Sequence, residues 1–564
     1  MEFAVYYVAA DLKLVRQLAW ATMASLLSIA VAAQPIILEQ NWSAYDRAWF
    51  YHVNQGSRLI DYRLFLALEA LEGGGLFRDD DNLRGYGFIP APVSQFNPDR
   101  LPIGFARDRQ YLGLTCAACH TSEFEYNGSR VRIEGGQGHI DLQRLLGDLE
   151  RTLAITESDA ARKRRLLGRM ELDEKTGTAL LRRSLTQRRG ENARNHTELR
   201  YGPARLDAFG AILNKGLALT GVAGNHNPPD GPTSFPYLWD TPHHDWVEWN
   251  GSSANPVDGA LGRNVGEVIG VYGEVSAERE KLFGLFDHGY RSSVRLRALR
   301  RIEKHVARLQ SPLWPERYLT STDKPLAARG KPLYENYCAD CHQPIARSDP
   351  RRRVQVRMSS LAAVGTDATM ARNVLDFTGR SGRFAGEKRF YVGGEILGER
   401  APALSIVNHV MVGVVYNQPL EVFMAQRDAR TMGHGAERHP PKFLDGAPMA
   451  RGSETSNEAL AAYKARPLNG VWATAPYLHN GSVPNLYELL LPANERSRIF
   501  ALGDWRFDPE RVGYATRVCD QDFVFDTKLK GNSNAGHEYG TGADGKPALS
   551  ESARLALLEY LKTL

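Results

Sequence analysis

Two five-residue boxes constrain this chain more than any other feature: Cys116-Ala117-Ala118-Cys119-His120 and Cys338-Ala339-Asp340-Cys341-His342. Each is a CxxCH box, the attachment signature of c-type haem. Two thiols three positions apart on a helical turn can each add to one vinyl group of a single porphyrin. The histidine that follows, His120 or His342, then reaches the iron as proximal ligand. A zinc site built from the same CxxC pairs would need four ligands converging from boxes far apart in sequence. A histidine directly after the second cysteine is redundant for zinc and required for haem. A redox disulfide within each box would sit in a strand-then-helix frame, and nothing around either box reads as one. The expected cofactors are therefore two covalently attached haem c groups, one on Cys116 and Cys119 and one on Cys338 and Cys341.

At 564 residues the chain has room for two or three sizeable cores, and 43% hydrophobic content is that of an ordinary soluble protein. Its 70 basic and 65 acidic residues balance to +5, too even to argue for nucleic acid as a partner. The basic runs Arg162-Lys163-Arg164-Arg165 and Arg351-Arg352-Arg353 read as solvated faces or partner patches. Four of the five cysteines are consumed by the boxes, which leaves Cys519 as a small buried hydrophobe. Lys13 and Arg16 precede an apolar run from Leu18 to Ala33 that closes on small residues. Residues 1–33 are thus expected to be a signal peptide, although Glu2 and Asp11 weaken its basic start. The run is short for a bilayer-spanning helix, and the expected location is the periplasm or the medium.

Ser43 is placed to cap a helix through the aromatic stretch that ends at His52. From about 140 to 215, dense Arg, Lys, Glu and Leu at helical spacing predict a surface-exposed helical excursion. The loop-forming segment Phe235 to Gly251 holds three of the nine tryptophans, Trp239, Trp246 and Trp249. A turn-rich stretch from Pro312 to Lys324 suggests a boundary. A helix into the second box and a capped amphipathic helix at the C-terminus look like the crossing helices of a class I cytochrome c domain. The expected fold is mainly α with extensive loops. It comprises two cytochrome c-like haem domains, 34–324 with the helical excursion and 325–564.

Axial ligands decide what each haem can do: two strong ligands close the iron for electron transfer, whereas an open sixth position admits oxygen or peroxide. For the second haem, His537 sits in the Gly- and Asn-rich loop Gly531 to Thr541, able to thread close to a porphyrin face. Met370, Met411 and Met432 compete as thioether ligands, and His479 as ligand or supporting donor.

The two boxes, the Thr474 to Ser482 segment and the closing helix resemble the dihaem cytochrome c peroxidase superfamily, which includes the maturation enzyme of methylamine dehydrogenase. Leu114 to Thr121, Phe235 to Gly251, Arg263-Asn264-Val265-Gly266-Glu267 and Asn534 to Thr541 resemble its branch of bacterial rubber oxygenases and dihaem fatty-acid dioxygenases. The resemblance implies a reactive N-terminal haem held by Cys116, Cys119 and His120. It implies a closed, bis-histidine haem held by Cys338, Cys341, His342 and His537, with one of Trp239, Trp246 or Trp249 between the two. The implied function is oxidation of an unsaturated apolar substrate, a fatty acid or polyisoprene, by dioxygen. Alternatives are a peroxidase reducing hydrogen peroxide with electrons from a small redox protein or other donor, and a plain electron carrier.

Overall fold

The structure is a computed structural model that describes residues 34–72, 74–255, 259–282, 286–431, 442–444, 461–518 and 523–564. The expected signal peptide 1–33, Met432 and Cys519 lie outside the described residues.

Local signals set the first elements. Strand β1 (Ile36–Ile37) leads to Ser43, whose hydroxyl accepts from the Asp46 amide at 3.1 Å while Asp46 accepts from the Ser43 amide at 3.0 Å. This reciprocal cap starts helix α1 (Ala44–His52), which buries Trp49, Phe50 and Tyr51. Strands β2 (Ile60–Asp61), β3 (Phe105–Asp108) and β4 (Tyr111–Leu114) form an antiparallel sheet in the order β2-β4-β3. After β4 comes the single helical turn Cys116–Cys119, then the hairpin of β5 (Thr121–Tyr126) and β6 (Ser129–Glu134). Asn127 and Gly128 close the hairpin at φ 47° and 75°, the left-handed pair that a two-residue turn needs. The first box thus hangs between two sheets. The chain is mixed, with 39% helix and 17% strand, so the expectation of a mainly α fold is met only loosely.

The region from about 140 to 215 is largely helical, as the periodicity indicates, with α2 (Leu142–Ser158), α3 (Ala160–Met170) and α4 (Glu174–Arg194), then a non-helical stretch before α5 (Ala208–Leu219). Asp141, Asp159 and Asp173 cap the first three. This bundle is not a purely exposed excursion. Leu145, Leu149 and Leu153 recur every fourth residue and pack with Leu166, Leu181, Phe65 and Phe77 in a core of their own. Nor is the run Arg162 to Arg165 simply solvated. Arg162, Arg165 and Arg169 converge on buried Glu69 at 3.2, 2.7 and 2.8 Å, tying α3 to the sheet side of the domain.

Helices α6 (Gly259–Gly270) and α7 (Leu296–Arg308) flank a hairpin of strands Val275–Leu282 and Phe286–Ser292. Helix α8 (Lys324–Tyr337) delivers the chain to the second box, and α9 (Ala403–Tyr416) packs on α5. Strands β7 (Arg357–Ser360), β8 (Lys442–Phe443) and β9 (Ala462–Ala465) form a sheet in the order β8-β7-β9. The final helix, α10 (Glu551–Leu561), crosses α8 so closely that a Cβ on Gly330 would stand 2.0 Å from the Ala556 carbonyl oxygen. Tyr334 and Tyr560 pack there with ring centres 5.3 Å apart.

The largest apolar cluster runs from Trp42 to Leu561, so packing is continuous across the Pro312 to Lys324 stretch. Arg352, in the second basic run, is 5% exposed and pairs with buried Asp240 at 2.5 Å. Among the described residues, no helix is long and apolar enough to cross a membrane.

Candidate functional site

Each box opens onto its own cavity. Thr115 caps the first, accepting from the Ala117 amide at 3.3 Å, and the His120 amide closes the turn on Cys116 at 3.0 Å. His120 Nδ1 donates to the Pro236 carbonyl at 2.8 Å, which fixes the tautomer and leaves Nε2 with its lone pair. Burial pulls its pKa down to about 4, so the ring is neutral. The cavity before it spans about 1470 Å³ free of protein atoms, part of it open to solvent. Its walls are largely apolar, with Phe209, Ile212, Val268, Leu299, Ile302 and Val306 among them. Polar exceptions come from α6, where Arg263, Asn264 and Glu267 face the cavity together with Glu248. Burial and the charge of Glu248 raise the Glu267 pKa well above the ordinary carboxylate range, which keeps a proton on it at neutral pH.

The second box is built the same way. His342 Nδ1 donates to the Arg466 carbonyl at 2.6 Å, again leaving Nε2 free. Its cavity, also partly open to solvent, spans about 1300 Å³ and is lined by Cys338, Cys341, His342, His479, His537 and Tyr539, among others. His537 stands with its ring centre 6.1 Å from that of His342. A single metal ion about 2 Å from a nitrogen of each ring fits such a separation. The loop that carries His537 is pinned from both sides. Its amide donates to the Val364 carbonyl at 2.8 Å, and Arg496 donates to the carbonyls of Asn534 and Gly536 at 2.6 and 2.9 Å. Gly536, at φ 73°, passes so close to residues 365 and 366 that a Cβ would meet Gly365 C at 2.3 Å. The glycine before the histidine is therefore a packing requirement. His479 instead stacks on Tyr463, ring centres 4.0 Å apart, and Met370 and Met411 line neither cavity.

The two cavities share a wall of Phe235, Pro236, Trp249, Lys464 and Arg466. The three tryptophans part company here. Trp249 lines both cavities and donates from Nε1 to the Ser234 carbonyl at 3.1 Å. Trp239 is fully buried, stacked on Tyr237 at 4.5 Å and tied to the Asn469 carbonyl, and Trp246 packs on the β7 side with Val354, Val356 and Met358. Neither lines a cavity. Arg466 lies 3.5 Å over the Tyr237 ring and donates to the Tyr237 carbonyl at 2.8 Å. It thus joins the carbonyl support of His342, its own, to the Pro236-Tyr237 segment that supports His120.

These residues suit covalent haem. The four thiols are free, and burial pushes Cys116 and Cys338 up to about 12, so they are protonated as they stand. Among the described residues, no group of three or more His, Cys, Asp or Glu side chains converges to hold a metal ion. What each cavity offers is two cysteines beside a neutral imidazole with one free nitrogen, and in the second a facing histidine whose Nδ1 has no partner. Sequence reading missed Lys464, Arg466, Glu248 and the role of Glu267. The signal for Glu267 was available: an acid four residues after Arg263 on a helix whose other turns carry Leu261, Val265 and Val268.

Comparison with known proteins adds a family. The chain is 30% identical to the uncharacterized protein y4iJ of Sinorhizobium fredii (strain NBRC 101917 / NGR234) over 601 aligned positions, covering 93% of each. The chain belongs to the y4iJ family. A second protein of the same strain, the uncharacterized y4iM, is 26% identical over 395 positions, covering 64% of this chain and 72% of y4iM. Within this y4iJ-family chain, residues 462–501 match the family described as RoxA-like, cytochrome c-like. That stretch starts at β9, on the shared wall, and supports the rubber-oxygenase-like branch of the resemblance. A cytochrome c-like domain brings covalent haem c and haem-dependent oxidoreductase chemistry in general.

Proposed function

We propose that this y4iJ-family protein is an exported dihaem c-type oxidoreductase that uses dioxygen to oxidise an unsaturated apolar substrate in the first cavity. One observation carries the proposal: the second cavity presents His537 opposite His342, whereas His120 is the only histidine lining the first, and no methionine lines it among the described residues. A haem held by Cys116, Cys119 and His120 would supply the redox chemistry with dioxygen. The chain's own residues supply the surroundings. The Pro236 carbonyl orients His120, apolar side chains of α5, α6 and α7 exclude water and receive the substrate, and protonated Glu267 can give up or recover a proton. Cys338, Cys341, His342 and His537 would hold the second haem, and Trp249, which lines both cavities, is the tryptophan assigned to relay electrons from one cavity to the other.

Glu267, Glu248 and Arg263 favour a second reading, peroxide reduction, because peroxide cleavage uses a proton donor and these residues line the first cavity. Spectra test the common core. The oxidised protein should show one five-coordinate and one six-coordinate haem, and His537→Ala should convert only the second; two six-coordinate haems would overturn both readings. Oxygen uptake with oleate or polyisoprene, set against peroxide consumption with a reduced donor, then separates them.

A further inference from the structure

The wall between the cavities carries two basic side chains, Lys464 and Arg466, and among the described residues neither forms an ion pair with a carboxylate. Lys464 Nζ, facing both cavities, has a single long contact, 3.5 Å to the Trp246 carbonyl, and among the described residues it forms no ion pair. Arg466 is 7% exposed and its Nε is buried without a partner. Behind them, His244 is wholly buried with neither ring nitrogen hydrogen-bonded. Charges and polar groups out of water are retained when something pairs with them. Arg263, the next cation along, is already satisfied by Asn255 at 2.7 Å and by Glu303. Glu248 and Asp245 favour the Lys464 ammonium from a distance, but neither is within ion-pair reach of it, and Glu267 is held protonated.

We infer that Lys464 and Arg466, backed by His244, form a carboxylate-binding site at the junction of the two cavities. The inference rests on the dihaem proposal above. The carboxylates come either from the haem side chains or from the head of a fatty-acid substrate whose tail lies along the apolar wall of the first cavity. In either case a negative group bridges the cations that both cavities share. Anything that changes Lys464 is then felt on both sides of the wall.

The test uses the full haem-loaded chain with Lys464→Met, and Lys464→Arg as the variant that keeps the charge. Haems per chain are counted first; a wild-type chain carrying fewer than two overturns the dihaem proposal and this site together. Midpoint potentials are then measured with no fatty acid present. If haem carboxylates occupy the site, Lys464→Met lowers both potentials, raising the oxidised-to-reduced ratio at least tenfold at fixed ambient potential, or about 59 mV for one electron. Lys464→Arg leaves them near wild type. If a substrate carboxylate occupies it, the potentials stay put, but oleate binds Lys464→Met at least tenfold more weakly, and methyl oleate binds wild type and variant alike. Two results overturn the site with the dihaem proposal intact. One is unchanged potentials together with unchanged oleate binding. The other is an effect of Lys464→Met that vanishes in a Glu248→Gln background, which would make Glu248 the partner.

Discussion

Gly330→Ala is a substitution whose sign is decided by the crossing of α8 and α10. Gly330 sits mid-helix with an ordinary helical backbone, so by propensity alone alanine should stabilise α8 by about 0.5–1 kcal/mol. The structure reverses that expectation. The new Cβ would stand 2.0 Å from the Ala556 oxygen, 2.6 Å from its carbon and 2.8 Å from the Tyr560 Cβ. A carbon needs at least about 3.3 Å from a carbonyl oxygen, so the helices must part by more than an ångström. Backbone atoms cannot rotate aside as a side-chain tip would. Overpacking of this kind costs about 1–3 kcal/mol, and the net should be a loss of up to about 2 kcal/mol. Tyr334, one turn on, donates to the His342 carbonyl, so the shift should also move the second box. The assay is guanidinium unfolding of the haem-loaded protein followed by far-ultraviolet circular dichroism, with the haem spectrum read in parallel. A midpoint equal to or above wild type would refute the close crossing.

Two further substitutions probe the basic runs. Glu69→Gln removes the anion that gathers Arg162, Arg165 and Arg169, and should cost about 1–3 kcal/mol. Those arginines, Arg165 foremost, hold the Glu69 carboxyl far below its usual range, so its contribution is present above about pH 4.3 and is lost as pH falls toward the folded value. Stability measured against pH should therefore fall less steeply on the acid side in the variant. Arg352→Met strands Asp240, both groups being 4% exposed, and should cost about 3–5 kcal/mol, partly recovered in Arg352→Met with Asp240→Asn; thermal unfolding of both proteins checks this.

The pattern of successes follows the range of each interaction. The boxes, the Ser43 cap and the Asp-capped helices are local, written within a few residues, and could be read directly. His537 was singled out because Gly536 and the asparagines announce a close backbone approach. Arg162 and Arg352 were read as solvated because their partners lie 93 and 112 residues away, beyond any periodicity. Strand β5 escaped because Thr121 to Phe124 are all buried, with none of the polar alternation that marks a half-exposed strand. Among Trp239, Trp246 and Trp249 no sequence property could choose. All three are buried or half-buried aromatics of one loop, and only the path of β9 behind them determines which one borders both cavities.

Strand β9 also bears on how the chain is made. His120, Pro236 and the apolar helices of the first cavity are synthesised hundreds of residues before Lys464 and Arg466. Until β9 pairs with β7 along Arg357↔Ala465 to Ser360↔Ala462, the first cavity lacks one side. A partly synthesised chain thus has the groups to capture a cofactor at Cys116 to His120 but no dry chamber around it. The first cavity stays wet until the other half of the chain arrives.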